Sequence, residues 1–113
     1  MWTKNARRIT PAESAHMAAV KALPCSVCDA PGPSEAHHIE QGLHFTVVAL
    51  CFDCHRGPGG WHGTRTAWKV RKVEPLDALN VTLGRMAKEA ADWSEATVNQ
   101  LAEAAQQRRL AAA

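Results

Sequence analysis

The sequence predicts a small α+β domain, a short β-hairpin flanked by helices, and three observations point to it. The four cysteines fall into two Cys-x-x-Cys pairs, Cys25-Ser26-Val27-Cys28 and Cys51-Phe52-Asp53-Cys54, with none left over. That is the arithmetic of a tetrahedral zinc site and not of a disulfide framework spread over a secreted chain. Twenty-two residues separate the pairs, a loop that leaves the metal and returns to it, and it holds both a His37-His38 pair and the β-branched apolar run Thr46-Val47-Val48-Ala49-Leu50. Finally, 113 residues make one domain. A chain of that size buries only about two-thirds of its unfolded surface, so a metal staple is physically useful.

Residues 1–11 read as a basic, loosely ordered arm. Ala15, Ala19, Val20, Ala22 and Leu23 then follow a helical spacing over 11–23, with Thr10 as N-cap and Pro11 at the first helical position. Pro24 ends that helix and delivers the chain to the first knuckle. Asp29-Ala30-Pro31-Gly32-Pro33-Ser34 is turn chemistry. Glu35-Ala36-His37-His38-Ile39 is therefore a brief extended piece, and the run 46–50, bounded upstream by Gly42, is its hairpin partner. A helical turn through His55 follows the second knuckle. Gly57-Pro58-Gly59-Gly60 stops it, so His62 sits in or after a loop.

Residues 64–72 read as a basic helix anchored by Trp68. Pro75 opens another, in which Leu76, Leu79, Leu83 and Met86 have the spacing of a buried stripe. A separate helical piece is expected from Asp92 or Ser94, where Asp92-Trp93-Ser94-Glu95 has the form of a capping box, through Val98 and Leu101 towards Arg109. The organisation predicted is an arm over 1–11, a core domain over 12–90 and a helical extension over 91–113.

Charge is unevenly distributed. Residues 1–72 carry nine Lys/Arg against five Asp/Glu, and residues 73–113 carry four against six, so the first part is the one suited to a polyanion. No apolar run is long enough for a signal peptide or a membrane span, and the paired thiols fit a reducing cytoplasm.

Four thiolates satisfy tetrahedral zinc completely, at Zn–S distances of about 2.3 Å, and leave no open position; such a site is structural. His37, His38, His55 and His62 remain to be explained. Adjacent residues on a strand point to opposite sides, so the pair can send one imidazole to a second metal and the other to a water beside it. The plainer alternative is a polar strand end over the knuckle, its rings hydrogen-bonded to thiolates. His16 is expected to pack or cap near the first knuckle and His44 to be exposed in the hairpin loop. Trp61 and Trp68 are expected in the core. Arg56, Arg65, Lys69, Arg71 and Lys72 form a basic set suited to phosphates.

The ordered set Cys-x-x-Cys, His-His-Ile, then Val-x-Leu-Cys-x-x-Cys-His resembles the HNH endonucleases, whose ββα-metal motif would span roughly 36–62. Within them the chain is most similar to the phage recombination-enhancement (Ref) nucleases. That resemblance runs from about His16-Met17 to Met86 and covers Glu35-Ala36-His37-His38-Ile39, Leu50-Cys51-Phe52-Asp53-Cys54-His55-Arg56-Gly57, Gly60-Trp61-His62-Gly63 and Leu76-Asp77-Ala78-Leu79. It implies a zinc-stapled ββα-metal (HNH, or His-Me finger) core with flanking helices. It also implies metal-dependent hydrolysis of DNA phosphodiesters and targeting by a RecA filament, in the cytoplasm of a bacterial host. His38 would be the general base, His37, His55 and His62 the ligands of a catalytic Mg²⁺, Mn²⁺ or Zn²⁺, and Arg56 an assisting cation. The asparagine that usually braces the base, nine residues before the last motif histidine, is replaced by Thr46. A hydroxyl cannot duplicate an amide. The competing reading is a non-catalytic zinc module that binds nucleic acid or protein.

Overall fold

A computed structural model gives the fold, described over residues 8–112; residues 1–7 of the basic arm lie outside the described residues. The chain runs α1 (Pro11–Lys21), β1 (Glu35–His38), β2 (Val47–Leu50), α2 (Phe52–His55), α3 (Thr66–Arg71) and α4 (Pro75–Ala112). It is a mixture of helices and one two-stranded antiparallel sheet, with the four cysteines gathered beside the sheet.

α1 starts where expected. Thr10 Oγ1 accepts the Glu13 N–H at 3.1 Å and the Glu13 carboxylate accepts the Thr10 N–H at 2.9 Å, a reciprocal capping box with Pro11 in the first turn. In the sheet, Glu35 faces Leu50, His37 faces Val48 and His38 faces Val47. All four residues of β2 are buried, which explains its unbroken apolar run. Val48 and Leu50 pack with Cys25, Cys54, Trp68 and Ala78, whereas Val47 and Ala49 pack with Val20 and Leu23 of the α1 end. β2 is thus the core strand, sandwiched between the cysteine side and α1. His37 shares the cysteine side of the hairpin and His38 the α1 side.

Three expectations are corrected. The basic helix is shorter than 64–72, because Arg65 (φ 64°) and Lys72 (φ 55°) both take the left-handed conformation and bound α3 at Thr66–Arg71. No separate helix begins at Asp92 or Ser94; α4 runs unbroken for 38 residues and crosses the expected 90/91 boundary. Asp92 accepts from Lys88 Nζ at 2.7 Å one turn back instead of turning onto a backbone N–H, and no Gly or Pro lies between Arg85 and the end of α4. The buried stripe of α4 is not Leu76 and Leu83, which are exposed, but Ala78 and Thr82, flanked by half-buried Leu79, Arg85 and Met86. Small side chains let the helix axis approach β2.

Thr82 shows why a hydroxyl is preferred there. It donates to Ala78 O at 3.0 Å and accepts from Ala49 N at 3.3 Å and from Ser26 Oγ at 2.7 Å, which saturates the group. One side chain thereby ties α4, β2 and the first knuckle together. Arg85 adds bonds to the carbonyls of Pro24 and Cys25 at 3.3 and 3.2 Å and pairs with Asp29. Thr82→Val keeps the shape but strands Ser26 and the Ala49 N–H, so we expect a loss of about 1–3 kcal/mol in denaturant-measured stability. A Thr82→Val protein as stable as wild type would remove this network from the forces that hold α4. Among the described residues no helix is long and apolar enough to cross a membrane.

Candidate metal centres

The first centre is the cysteine cluster. The first knuckle closes through Asp29 N to Cys25 O at 3.0 Å and docks on β2 through Ser26 N to Ala49 O at 2.8 Å. Cys51 caps α2 and Cys54 lies within it, so this pair comes from one helical turn. The four Sγ atoms lie within 4.8 Å of one another, and Cys28 and Cys51 are 3.6 Å apart. A tetrahedron with bonds of about 2.3 Å has edges of roughly 3.8 Å, so the cluster is able to hold a metal ion such as zinc. Electrostatics agree. Burial works to raise the Cys25 thiol, but the N–H groups of Cys51, Cys28 and Val27 outweigh it and lower its pKa. Burial, with the other sulfurs, pushes Cys51 and Cys54 up. The backbone donors thus favour the thiolate form at Cys25, and four thiolates together require a cation.

The second centre is made by His37, His55 and His62, whose ligand nitrogens also lie within 4.8 Å of one another. Ring centroids are 5.0 Å apart for His37–His55, 5.2 Å for His37–His62 and 5.0 Å for His55–His62. His37 is buried, His55 half-buried and His62 exposed, so the triangle opens to solvent at one corner. The separation of seven residues between His55 and His62 is bridged by backbone. The loop after α2 folds back so that Trp61 N donates to Cys54 O at 2.9 Å and His62 N to His55 O at 3.0 Å. Gly60 makes this return possible, since a Cβ there would lie 2.7 Å from Asp53 O and 2.8 Å from His55 O. Burial first, then the neighbouring imidazoles of His55 and His62, hold the His37 pKa at about 4, so the ring is neutral and its lone pair is available near pH 7.

Two residues given no functional role from the sequence serve these histidines. Glu35 accepts from His55 Nδ1 at 2.8 Å and from Arg56 Nε at 3.0 Å, with Arg56 Nη2 on its second oxygen. The Arg56 hydrogen bond, then that of His55, brings the Glu35 carboxyl down to about 2 against the effect of burial. A carboxylate on Nδ1 turns Nε2 of His55 towards the triangle. Arg56, expected to meet substrate, is committed to Glu35. The second residue is His44, whose Nδ1 lies 3.0 Å from His38 Nε2.

His44 is half-buried and not exposed as expected, because this bond folds it back on the end of β1. The partner of His38 is therefore His44 and not Thr46, whose backbone closes the hairpin loop with Leu43 and Ile39. His38 stands outside the triangle, with burial and His44 lowering its pKa. His16 packs edge-on against Phe45 at 5.3 Å between ring centroids, with Nε2 buried and without a hydrogen-bond partner.

The basic set divides. Arg65, Lys69 and Lys72 line one cleft with Trp61 and Trp68, while Arg71 turns back to Ala67 O at 3.1 Å. Trp68 is core as expected, its Nε1 donating to Cys54 O at 2.8 Å. Trp61 is only half-buried, 5.1 Å from Trp68 and 6.2 Å from His37 between ring centroids, and forms the wall between the cleft and the triangle. Comparison of the chain with protein-family models, with curated proteins and with solved structures finds no match.

Proposed function

We propose that this protein is a metal-dependent DNA endonuclease of the HNH type, similar to the Ref nucleases, with the ββα-metal core formed by β1, β2 and α2. The observation that carries the reading is the convergence of His37, His55 and His62 on one point, with Glu35 behind His55 and the His38–His44 pair at the end of the same strand. A closed thiolate site needs none of these. Three imidazole ligands leave coordination positions open, as catalytic sites do.

In this reading His37, His55 and His62 would hold a divalent ion, Mg²⁺, Mn²⁺ or Zn²⁺, which would supply Lewis-acid stabilisation of charge on the scissile phosphate and the leaving 3′-oxygen. His38 Nε2 and His44 Nδ1 share a hydrogen bond of 3.0 Å, and in the tautomer that places the proton on His38 Nε2, His38 Nδ1 is bare to take a proton from the attacking water. Glu35 and Arg56 fix the orientation of His55. DNA is the substrate and a RecA filament the targeting partner.

The test is a cleavage assay on plain and RecA-coated DNA with Mg²⁺, Mn²⁺ and chelator compared, run beside a metal count. Cleavage that requires a second, exchangeable metal supports the enzyme. One tight zinc with no second metal and no cleavage would instead make the chain a non-catalytic zinc module. The geometry also predicts that Gly60→Ala, by pushing His62 away from His55, weakens Mn²⁺ binding on the order of tenfold while the cysteine cluster keeps its zinc. Electron paramagnetic resonance of the Mn²⁺ titration reads this directly, and unchanged affinity would detach His62 from the site.

A further inference from the structure

We infer that the cleft between α3 and the Trp61 loop is a nucleotide subsite, in which one unstacked base lies on the Arg65–Trp61 pair while its phosphate meets Lys69 and Lys72. The cleft has a volume of about 440 Å³, within the range of small-ligand sites. Arg65 is held flat, its Cζ 3.6 Å above the Trp61 ring and its Nε donating to Trp61 O at 2.8 Å. A guanidinium pinned in this way offers a planar cationic surface, the kind on which nucleobases stack. Lys69 and Lys72 supply compact charges on the same wall, and Glu74 is the one carboxylate among the lining residues.

Two further observations concern the cations of this wall. Arg65, Lys69 and Lys72, like Lys21, Arg71, Arg108 and Arg109, have no ion-pair partner among the described residues, and of these cations Arg65, Lys69 and Lys72 share one cleft. Arg65 and Lys72 also occupy left-handed backbone positions, where glycine is the unstrained residue, yet both are cations and both line the cleft. Trp61 stands between this cleft and His37. A nucleotide seated here therefore places its neighbour along the strand at the histidine triangle. The choice of ligand rests on the nucleic-acid reading above; the existence of the subsite does not rest on catalysis.

The experiment is fluorescence anisotropy with a labelled twelve-residue oligothymidylate and its abasic counterpart, on zinc-loaded protein without added Mg²⁺ or Mn²⁺. Wild type should prefer the oligothymidylate roughly five- to a hundredfold, the range of one base–aromatic stack. Arg65→Gly should erase that preference. Lys72→Gly should weaken both ligands and flatten the log–log salt dependence by about 0.7, while melting no lower than wild type, because glycine relaxes the left-handed position. Equal affinity of wild type for the two oligonucleotides, wild-type binding by both variants, or equally strong displacement by polyglutamate would overturn the subsite. A protein that cleaves no DNA but keeps the base-dependent binding loses the nuclease reading alone. One that cleaves, with binding unmoved in Arg65→Gly, loses the subsite alone.

Discussion

Replacing Cys51 with serine is expected to abolish metal binding at the cysteine cluster and the cooperative fold together. Cys51 starts α2, and the sulfurs it joins belong to a knuckle that reaches α4 through Ser26 and Thr82. Cys25 and Cys54 also belong to the larger core cluster. Zinc bound by such sites contributes apparent folding free energies of about 10–16 kcal/mol, comparable with or larger than the ~5–15 kcal/mol net stability of a whole domain. The expected result is loss of zinc binding, read by native mass spectrometry, and loss of the sigmoidal thermal transition. A Cys51→Ser protein that kept both would show that the four thiolates do not act as one site.

The second large effect is on chemistry and not on fold. His38→Ala is expected to lower DNA cleavage by ~10²–10⁴, the usual contribution of a general base, with zinc content and second-site metal affinity close to wild type. The reason is positional: His38 faces Val47 on the α1 side of the hairpin, while His37 faces Val48 and joins the triangle. His37→Ala should therefore weaken the second metal. His44→Ala should follow His38→Ala in direction and Thr46→Ala should not, since the hydrogen bond to the His38 ring comes from His44. Unchanged cleavage in His38→Ala, or equal metal loss in the His37 and His38 variants, would end this division of roles.

Features carried by neighbours in sequence were legible before any coordinates. The Thr10 N-cap, the two knuckles and the apolar run that forms β2 each depend on residues within a few positions of one another, and local sterics and hydrogen bonding decide them. The loop carrying His62 was legible for the same reason, because Gly57-Pro58-Gly59-Gly60 cannot continue a helix.

Local patterns misled where a second local solution existed. Asp92-Trp93-Ser94-Glu95 has the composition of a helix start, yet a helix already under way adds one hydrogen bond per residue, and Asp92 found Lys88 instead. Leu76, Leu79, Leu83 and Met86 share a helical spacing, but the strand that α4 meets admits only Ala78 and Thr82 at closest approach.

The sequence by itself determined that the chain gathers four thiols on a short α+β scaffold, because paired knuckles and a buried apolar strand are written in spacing and residue type. Tertiary structure alone decided which groups serve the histidines. Glu35 reaches His55 across twenty residues and His44 reaches His38 across six, and in each pair the partners lie in different elements, so no periodicity within one element links them. Tertiary structure also sorted the cations, committing Arg56 to a carboxylate and leaving Arg65, Lys69 and Lys72 on a common wall. Side-chain direction depends on where the hairpin, the α2 return loop and α3 finally pack against one another, and no one-dimensional pattern encodes that packing.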